Sequence, residues 1–286
     1  MRFVNALLCC LLVFATSAAA QKNAQPREIT EDFRFHAGFK SKYVPKPRQI
    51  IVHLPRGYAR EEARRYPVLY MLDGPSVFAT WRIDETARAL AEAGHITPLI
   101  IVGVPHGGSQ QLRTDEYTPT HMLGQGGGKG DALGRMLSEE LKPFIDSQYR
   151  TLADAEHTGL GGVSFGGLVS LHIGLKHPET FGRLAVMSPS VWWDDAIILR
   201  SVRSLKARPA TRIWLDVGTA EGREMWHNAK RLRDALVNKG WTLDNNLAYF
   251  EDAGAEHVDA AWARRAEHVL KFLFPARAGA QPPTGQ

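Results

Sequence analysis

The chain has 286 residues, 35 Lys and Arg against 30 Asp and Glu, 44% apolar residues and 2 cysteines, which excludes a disordered, collagen-like or disulfide-stapled protein. At roughly 100–200 residues per domain, this length buries a sizeable core without a metal or a disulfide. The net charge is only +5, and Arg64, Arg65, Arg200, Arg203, Arg231 and Arg233 are spread over separate segments among acids, which argues against nucleic acid as a partner.

Residues 1–20 read as a secretory signal: Arg2, an apolar run over 6–15, then Thr16, Ser17 and three alanines. The run is about ten residues, short of the roughly 20 that span a bilayer, and no later stretch approaches it. The expectation is an exported protein, periplasmic or secreted, without a membrane span. Cleavage near Gln21 removes Cys9 and Cys10, so the mature chain has no thiol, no disulfide and no cysteine nucleophile. Residues 21–26 read as a linker, 27–275 as one domain, and 276–286, rich in Gly, Pro, Ala and Gln, as a disordered tail.

Within the domain, short β-branched runs predict strands over 49–54, 67–72, 98–104, 157–163, 183–187, 211–217 and 247–250, with an extra edge strand over 28–35. Helical spacing over 84–92, 131–146, 166–176, 221–239 and 258–274 alternates with them. Strand and helix in alternation mean βαβ units, and continuous apolar runs such as Leu99-Ile100-Ile101-Val102 mark strands covered on both faces. The fold class expected is α/β, a mostly parallel sheet of about eight strands with helices on both faces.

The most informative segment is Gly162-Val163-Ser164-Phe165-Gly166-Gly167, a G-x-S-x-G pattern between a predicted strand and a predicted helix. A turn that tight presses the positions two before and two after the serine against strand and helix, hence glycine at both. The serine hydroxyl then stands above the sheet beside a helix N-terminus. To act as a nucleophile it needs a base, and the base needs a carboxylate.

Of the downstream histidines, His172, His177, His227 and His268 fall in or at the ends of predicted helices, whereas His257 lies in a loop after a strand and is the candidate base. For the acid, Glu221 just past the strand 211–217 is preferred over Asp216, inside the strand, and Asp252, too close to the histidine in sequence. No His pair has zinc-protease spacing, so no metal is expected, and the chemistry needs no cofactor.

These residues resemble the esterase branch of the α/β-hydrolases that includes enterobactin-type siderophore esterases, esterase D, feruloyl and acetylxylan esterases and mycolyltransferases. The matching segments are 66–74, 116–119, 162–167, 188–190 with Trp192 and Trp193, 218–221, and 255–257 with Trp262, in order along nearly the whole mature chain. The resemblance implies a serine esterase with a Ser164, Glu221, His257 triad, acting on a small-molecule ester. It also implies an oxyanion hole built from the Phe165 amide and a second amide just after Asp73-Gly74. There the chain departs from the pattern, because Pro75 has no N–H, which leaves Ser76 or Gly74 as donor.

Arg113 and Tyr117, in the segment 113–119, and Trp192 and Trp193 are candidates for substrate contact; a structural ion pair for the arginine and core packing for the tryptophans stand as equal alternatives. The stretch 124–130 lacks the residues of a phosphate loop and reads as a flexible flap over the cleft. An acyltransferase, or a ligand-binding protein that has lost hydrolysis, would use the same fold.

Overall fold

Eight strands form one sheet in the order β1-β2-β4-β3-β7-β8-β9-β10 in a computed structural model that describes residues 32–276. The leader at 1–20, the linker at 21–26, the first five residues of the expected domain and the tail from 277 lie outside the described residues. In chain order the elements begin with β1 (Phe33–Phe39), β2 (Arg48–His53), β3 (Val68–Leu72), α1 (Gly74–Ala79), α2 (Ile83–Glu92) and β4 (Ile100–Val104). They continue with α3 (Gln110–Glu116), a small hairpin of β5 (His121–Met122) and β6 (Gly126–Gly127), α4 (Gly130–Arg135) and α5 (Lys142–Gln148). The second half is β7 (Thr158–Val163), α6 (Phe165–Lys176), β8 (Arg183–Met187), α7 (Trp193–Ser204), β9 (Arg212–Gly218), α8 (Arg223–Asn238), β10 (Leu247–Asp252) and α9 (Asp259–Leu273).

Strands β4, β3, β7, β8, β9 and β10 run parallel to one another, and β2 pairs antiparallel with both β4 and the edge strand β1. The pleat sorts successive side chains onto opposite faces. Val68, Tyr70 and Leu72 of β3 join a core with α6, α7 and α8, while Leu69 and Met71 join one with α1, α2 and α9. The same division holds along β8, where Leu184 and Val186 face one core and Ala185 and Met187 the other. Burial on both faces explains why these strands read as unbroken apolar runs.

Three expectations are corrected in detail. The edge strand begins at Phe33 and runs to Phe39, beyond the expected end at 35. The helix expected over 131–146 is α4 and α5 joined through a π-helical segment, Met136–Leu141. Helices α1, α3 and α7 and the β5–β6 hairpin were not expected; each of α1 and α3 is too short for two turns of periodicity to register. Among the described residues no helix is long and apolar enough to cross a membrane.

Candidate active site

Five neighbouring parallel strands deliver the candidate residues to one edge of the sheet. Asp73 and Gly74 follow β3, Ser164 follows β7, Ser188 and Ser190 follow β8, Glu221 follows β9 and His257 follows β10. In open α/β sheets this carboxyl edge is where ligands bind.

Ser164 joins β7 to α6 with φ +60° and ψ −119°, a conformation that non-glycine residues rarely adopt and that costs on the order of 1–3 kcal/mol. Its amide donates to the Met187 carbonyl, and its carbonyl accepts from the amides of Leu168 and Ser190. Of the two positions where glycine was expected, Gly162 is required and Gly166 is not, the demand falling on Gly167 instead. A Cβ on Gly162 would stand 2.8 Å from the Gly166 carbonyl carbon, and one on Gly167 would stand 2.8 Å from the Met187 oxygen. At Gly166 the nearest atom would be 3.6 Å away, an ordinary contact, so the steric demand there falls on its neighbour. The Ser164 hydroxyl bonds Ser190 Oγ at 3.1 Å, and no hydrogen bond joins it to His257.

The loops that carry Glu221 and His257 are zipped together. Thr219 N–H donates to the Asp252 carbonyl, Ala220 N–H to that of Ala255, and Gly254 N–H to Thr219 Oγ1 at 2.8 Å. Gly218 permits this approach, since a Cβ there would sit 2.3 Å from the Ala255 oxygen. Glu221 Oε2 lies 2.8 Å from His257 Nδ1, with the carboxylate out of solvent and the imidazole 34% exposed. Its Oε1 accepts from Ser188 Oγ at 2.6 Å, Gly218 N–H at 2.8 Å and Arg265 Nη2 at 3.1 Å.

Burial alone would raise the Glu221 pKa, but the hydrogen bonds from His257, Ser188 and the Gly218 amide outweigh it and hold the carboxyl below its ordinary value. An ionised carboxylate only accepts, so Nδ1 of His257 carries a proton, and in the neutral imidazole the lone pair is then on Nε2. The Trp262 indole meets the imidazole edge-on at 4.9 Å. The other acids considered for this role are occupied elsewhere. Asp216 is fully buried and accepts from Trp214 Nε1, Arg265 and the Ser188 amide; Asp252 lies 3.6 Å and 3.7 Å from Arg265 and Arg264.

At the end of β3, Asp73 has φ +59°. The Ser76 amide donates to the Asp73 carbonyl at 2.8 Å, which removes Ser76 as an oxyanion donor. The Gly74 amide, at the first position of α1, has no partner among the described residues, and neither has the Phe165 amide at the first position of α6. β3 and β7 are neighbouring parallel strands, Met71 opposite Gly161, so the turns that carry Gly74 and Ser164 leave the sheet at the same edge. The missing N–H of Pro75 therefore leaves one free amide from each strand end at this edge.

Arg113 takes the ion-pair alternative: Nε and Nη2 grip the Asp73 carboxylate at 2.8 and 2.7 Å, and the guanidinium lies over the Phe165 ring. Tyr117, the other candidate of that segment, lies beneath Asp73. It is fully buried, and its hydroxyl accepts from the Asp73 amide at 3.0 Å. Trp193 is likewise fully buried, with Nε1 donating to the Thr120 carbonyl, whereas Trp192 is only partly buried and touches Phe165. Residues 124–130 are pinned rather than a free flap, because Asp115 accepts from the Gly127 amide and pairs with Lys129 Nζ at 2.7 Å, and Thr118 Oγ1 accepts from the Gly128 amide. Of the four histidines set aside, His172 pairs with Asp131, His227 bonds its own helix, and His268 stacks on Trp214.

Sequence reasoning missed Ser188, Ser190 and Arg265 as neighbours of the site. The two serines stood in a quoted segment without a role. Arg265 gave no signal, since an arginine within an amphipathic helix reads as a solvated face.

Comparison with known proteins places this chain among esterases. The esterase family model, described as "Putative esterase", matches residues 41–268. YbbA of Bacillus subtilis is 26% identical over 250 residues, covering 83% of this chain and 96% of its own. Ferri-bacillibactin esterase BesA of Bacillus subtilis is 30% identical over 154 residues, 47% of this chain and 51% of BesA. The crystal structure of the BES protein from Bacillus cereus superposes with a TM-score of 0.72 at 26% identity, covering 87% of this chain and 97% of that one.

Proposed function

The chain belongs to the esterase family and is a carboxylic ester hydrolase of the α/β-hydrolase fold, and from that premise we propose that it is a serine esterase whose triad is Ser164, His257 and Glu221. The observation that carries the reading is the 2.8 Å contact of Glu221 Oε2 with His257 Nδ1 at the strand edge that also bears Ser164 with φ +60°. His257 Nε2 takes the Ser164 proton as Oγ attacks the ester carbonyl, and Glu221 stabilises the resulting imidazolium. The Gly74 and Phe165 amides receive the oxyanion. Collapse expels the alcohol with the proton from His257, and water, activated by the same imidazole, releases the acid and restores Ser164.

In the free enzyme the Ser164 hydroxyl bonds Ser190, so the reaction begins with its rotation toward His257. The relative named as a ferri-bacillibactin esterase supports a siderophore ester as substrate, and the half-buried Trp192 beside Phe165 suits an aryl group. Arg113 then serves the site through Asp73 rather than by meeting an anionic group directly. The leader at 1–20 supports export, testable by the N-terminal mass of the secreted protein.

The deciding experiment is hydrolysis of p-nitrophenyl acetate by the mature protein beside Ser164→Ala. Turnover should fall by at least about a thousandfold in the variant. A variant that keeps its rate while folded removes Ser164 from the mechanism.

A further inference from the structure

The acid of the site is itself gripped from beneath. Arg265 of α9 is 1% exposed, and its guanidinium reaches carboxylates from three separate segments. Nη1 lies 2.5 Å from Asp216 Oδ1 on β9, Nη2 3.1 Å from Glu221 Oε1, and Nε 3.6 Å from Asp252 Oδ2 at the end of β10. Through these contacts one side chain ties the Glu221 loop and the base of the His257 loop to the same helix.

A buried ion pair is weak evidence for stability, because apolar groups of the same shape often do as well. The geometry here has a more specific consequence. A planar, rigid fork that occupies Oε1 from below, together with the Ser188 hydroxyl and the Gly218 amide, fixes the rotation of the Glu221 carboxylate. Only Oε2 is left, and it faces His257 Nδ1. The same helix holds Trp262, whose indole N–H donates to Ser188 Oγ at 3.2 Å and whose ring braces the imidazole. Among the described residues Asp216 has no other cation on it, so without Arg265 it would lie buried beside the Glu221 carboxylate with no positive charge of its own.

We propose that Arg265 is a positioning residue of the ester hydrolysis, orienting Glu221 and balancing the charge that Glu221 shares with Asp216, so that His257 presents Nε2 to Ser164. The inference rests on the Ser164, His257, Glu221 reading. The charged and titratable groups around the guanidinium are Asp216, Glu221 and Asp252, with His257 beyond Glu221 and Arg264 beyond Asp252.

The test compares kcat and KM on p-nitrophenyl acetate for Arg265→Met, Arg265→Lys, Glu221→Gln and the double variant Glu221→Gln/Arg265→Met, with folding checked by circular dichroism. Arg265→Met should lower kcat about a hundredfold with KM changed less than about threefold, as expected when a reacting group is misplaced. In the Glu221→Gln background the same change should cost less than about threefold, because Arg265 acts only through Glu221. Arg265→Lys, which keeps the charge and loses the fork, should recover about a tenth of the wild-type rate. The acid limb of the Arg265→Met pH profile should lie at higher pH than that of the wild type.

Equal losses in both backgrounds, a change confined to KM, or an unmoved acid limb would overturn the proposal. If Arg265→Met does not fold, Asp216→Asn/Arg265→Met removes the pair together and enters the same cycle; failure of both to fold assigns the arginine to the core and ends the inference. Full activity in Ser164→Ala would instead remove the triad reading beneath it, whereas an inactive Ser164→Ala beside a fully active Arg265→Met rejects this inference alone.

Discussion

Ser188 donates its hydroxyl to Glu221 Oε1 at 2.6 Å from a backbone held at φ +41°, and Ser188 Oγ in turn accepts from the Trp262 indole N–H. A left-handed serine is thus the joint between the acid and helix α9. Its replacement by alanine keeps the backbone but leaves the Trp262 N–H unpartnered and takes one donor from a buried carboxylate. Hydrogen bonds to charged groups are worth about 1.5–3 kcal/mol, so Ser188→Ala should lose about that much stability in urea at neutral pH.

The pH dependence of that loss has a definite sign. Glu221 is held below its ordinary value of 4.5, so it contributes stability that is present above 4.5 and is lost as pH falls through the lower native value. Ser188→Ala moves the native value back up and shrinks the contribution. The gap between wild type and variant should therefore narrow as unfolding is measured at pH values below 4.5, and a gap constant with pH would show that the hydroxyl acts on Trp262 alone.

Gly74 packs against β4: a Cβ there would stand 2.7 Å from the Gly103 carbonyl carbon and 2.8 Å from the Val104 amide nitrogen, both backbone atoms that cannot yield cheaply. Gly74→Ala should push the adjoining amide out of line. The expected result is a kcat on p-nitrophenyl acetate lower by about a hundredfold, the cost of one oxyanion donor, with a stability loss of about 1–3 kcal/mol from overpacking. Ser76→Ala leaves the amide bonded to Asp73 and should keep kcat within about twofold. If Ser76→Ala is the damaging change, the donor has been assigned to the wrong residue.

The two adjacent tryptophans should behave differently. Trp193 is fully buried, and Trp193→Ala should cost about 3–5 kcal/mol in unfolding free energy. Trp192 is partly exposed beside Phe165, and Trp192→Ala should raise KM for aryl-acyl esters by up to about tenfold, the worth of an aromatic contact, while KM for the acetyl ester stays within about twofold. Equal effects on both esters would place Trp192 outside the acyl pocket.

The strands were legible because burial on both faces leaves unbroken apolar runs, as in β4, and the elbow was legible because its sterics demand glycine around Ser164. Steric demand is also where that reading slipped by one position, from Gly166 to Gly167, since which glycine carries it depends on how close β8 passes. The position of His257 after a strand could be read from order along the chain. The burial of Tyr117 and Trp193 could not, because an aromatic side chain in a loop has the same letters whether it lines a pocket or locks a backbone amide. Ser76 was no more legible as a non-donor, since its amide is taken by a carbonyl three residues back through a left-handed Asp73 that only the folded turn reveals.

Asp216 carries the clearest thermodynamic signature among the buried groups. Complete burial pushes its carboxyl up to about 6 from an ordinary 3.8, against the pull of Arg265, the Trp214 N–H and the Ser188 amide. The sign is opposite to that of Glu221. A raised native value means that the folded protein holds the Asp216 proton more tightly than the unfolded chain, so this contribution is full below 3.8 and is lost as pH rises through about 6. The loss amounts to at most about 3 kcal/mol across that window. Urea unfolding of the wild type at a series of pH values should include this fall, and Asp216→Asn, which cannot titrate, should lack it. The asparagine keeps an oxygen for Arg265 and the Ser188 amide, so the variant should remain folded and its stability curve between 3.8 and 6 should be flatter than the wild type's. A curve of unchanged slope would mean that Asp216 is ionised throughout, and that Arg265 compensates its charge more fully than burial penalises it.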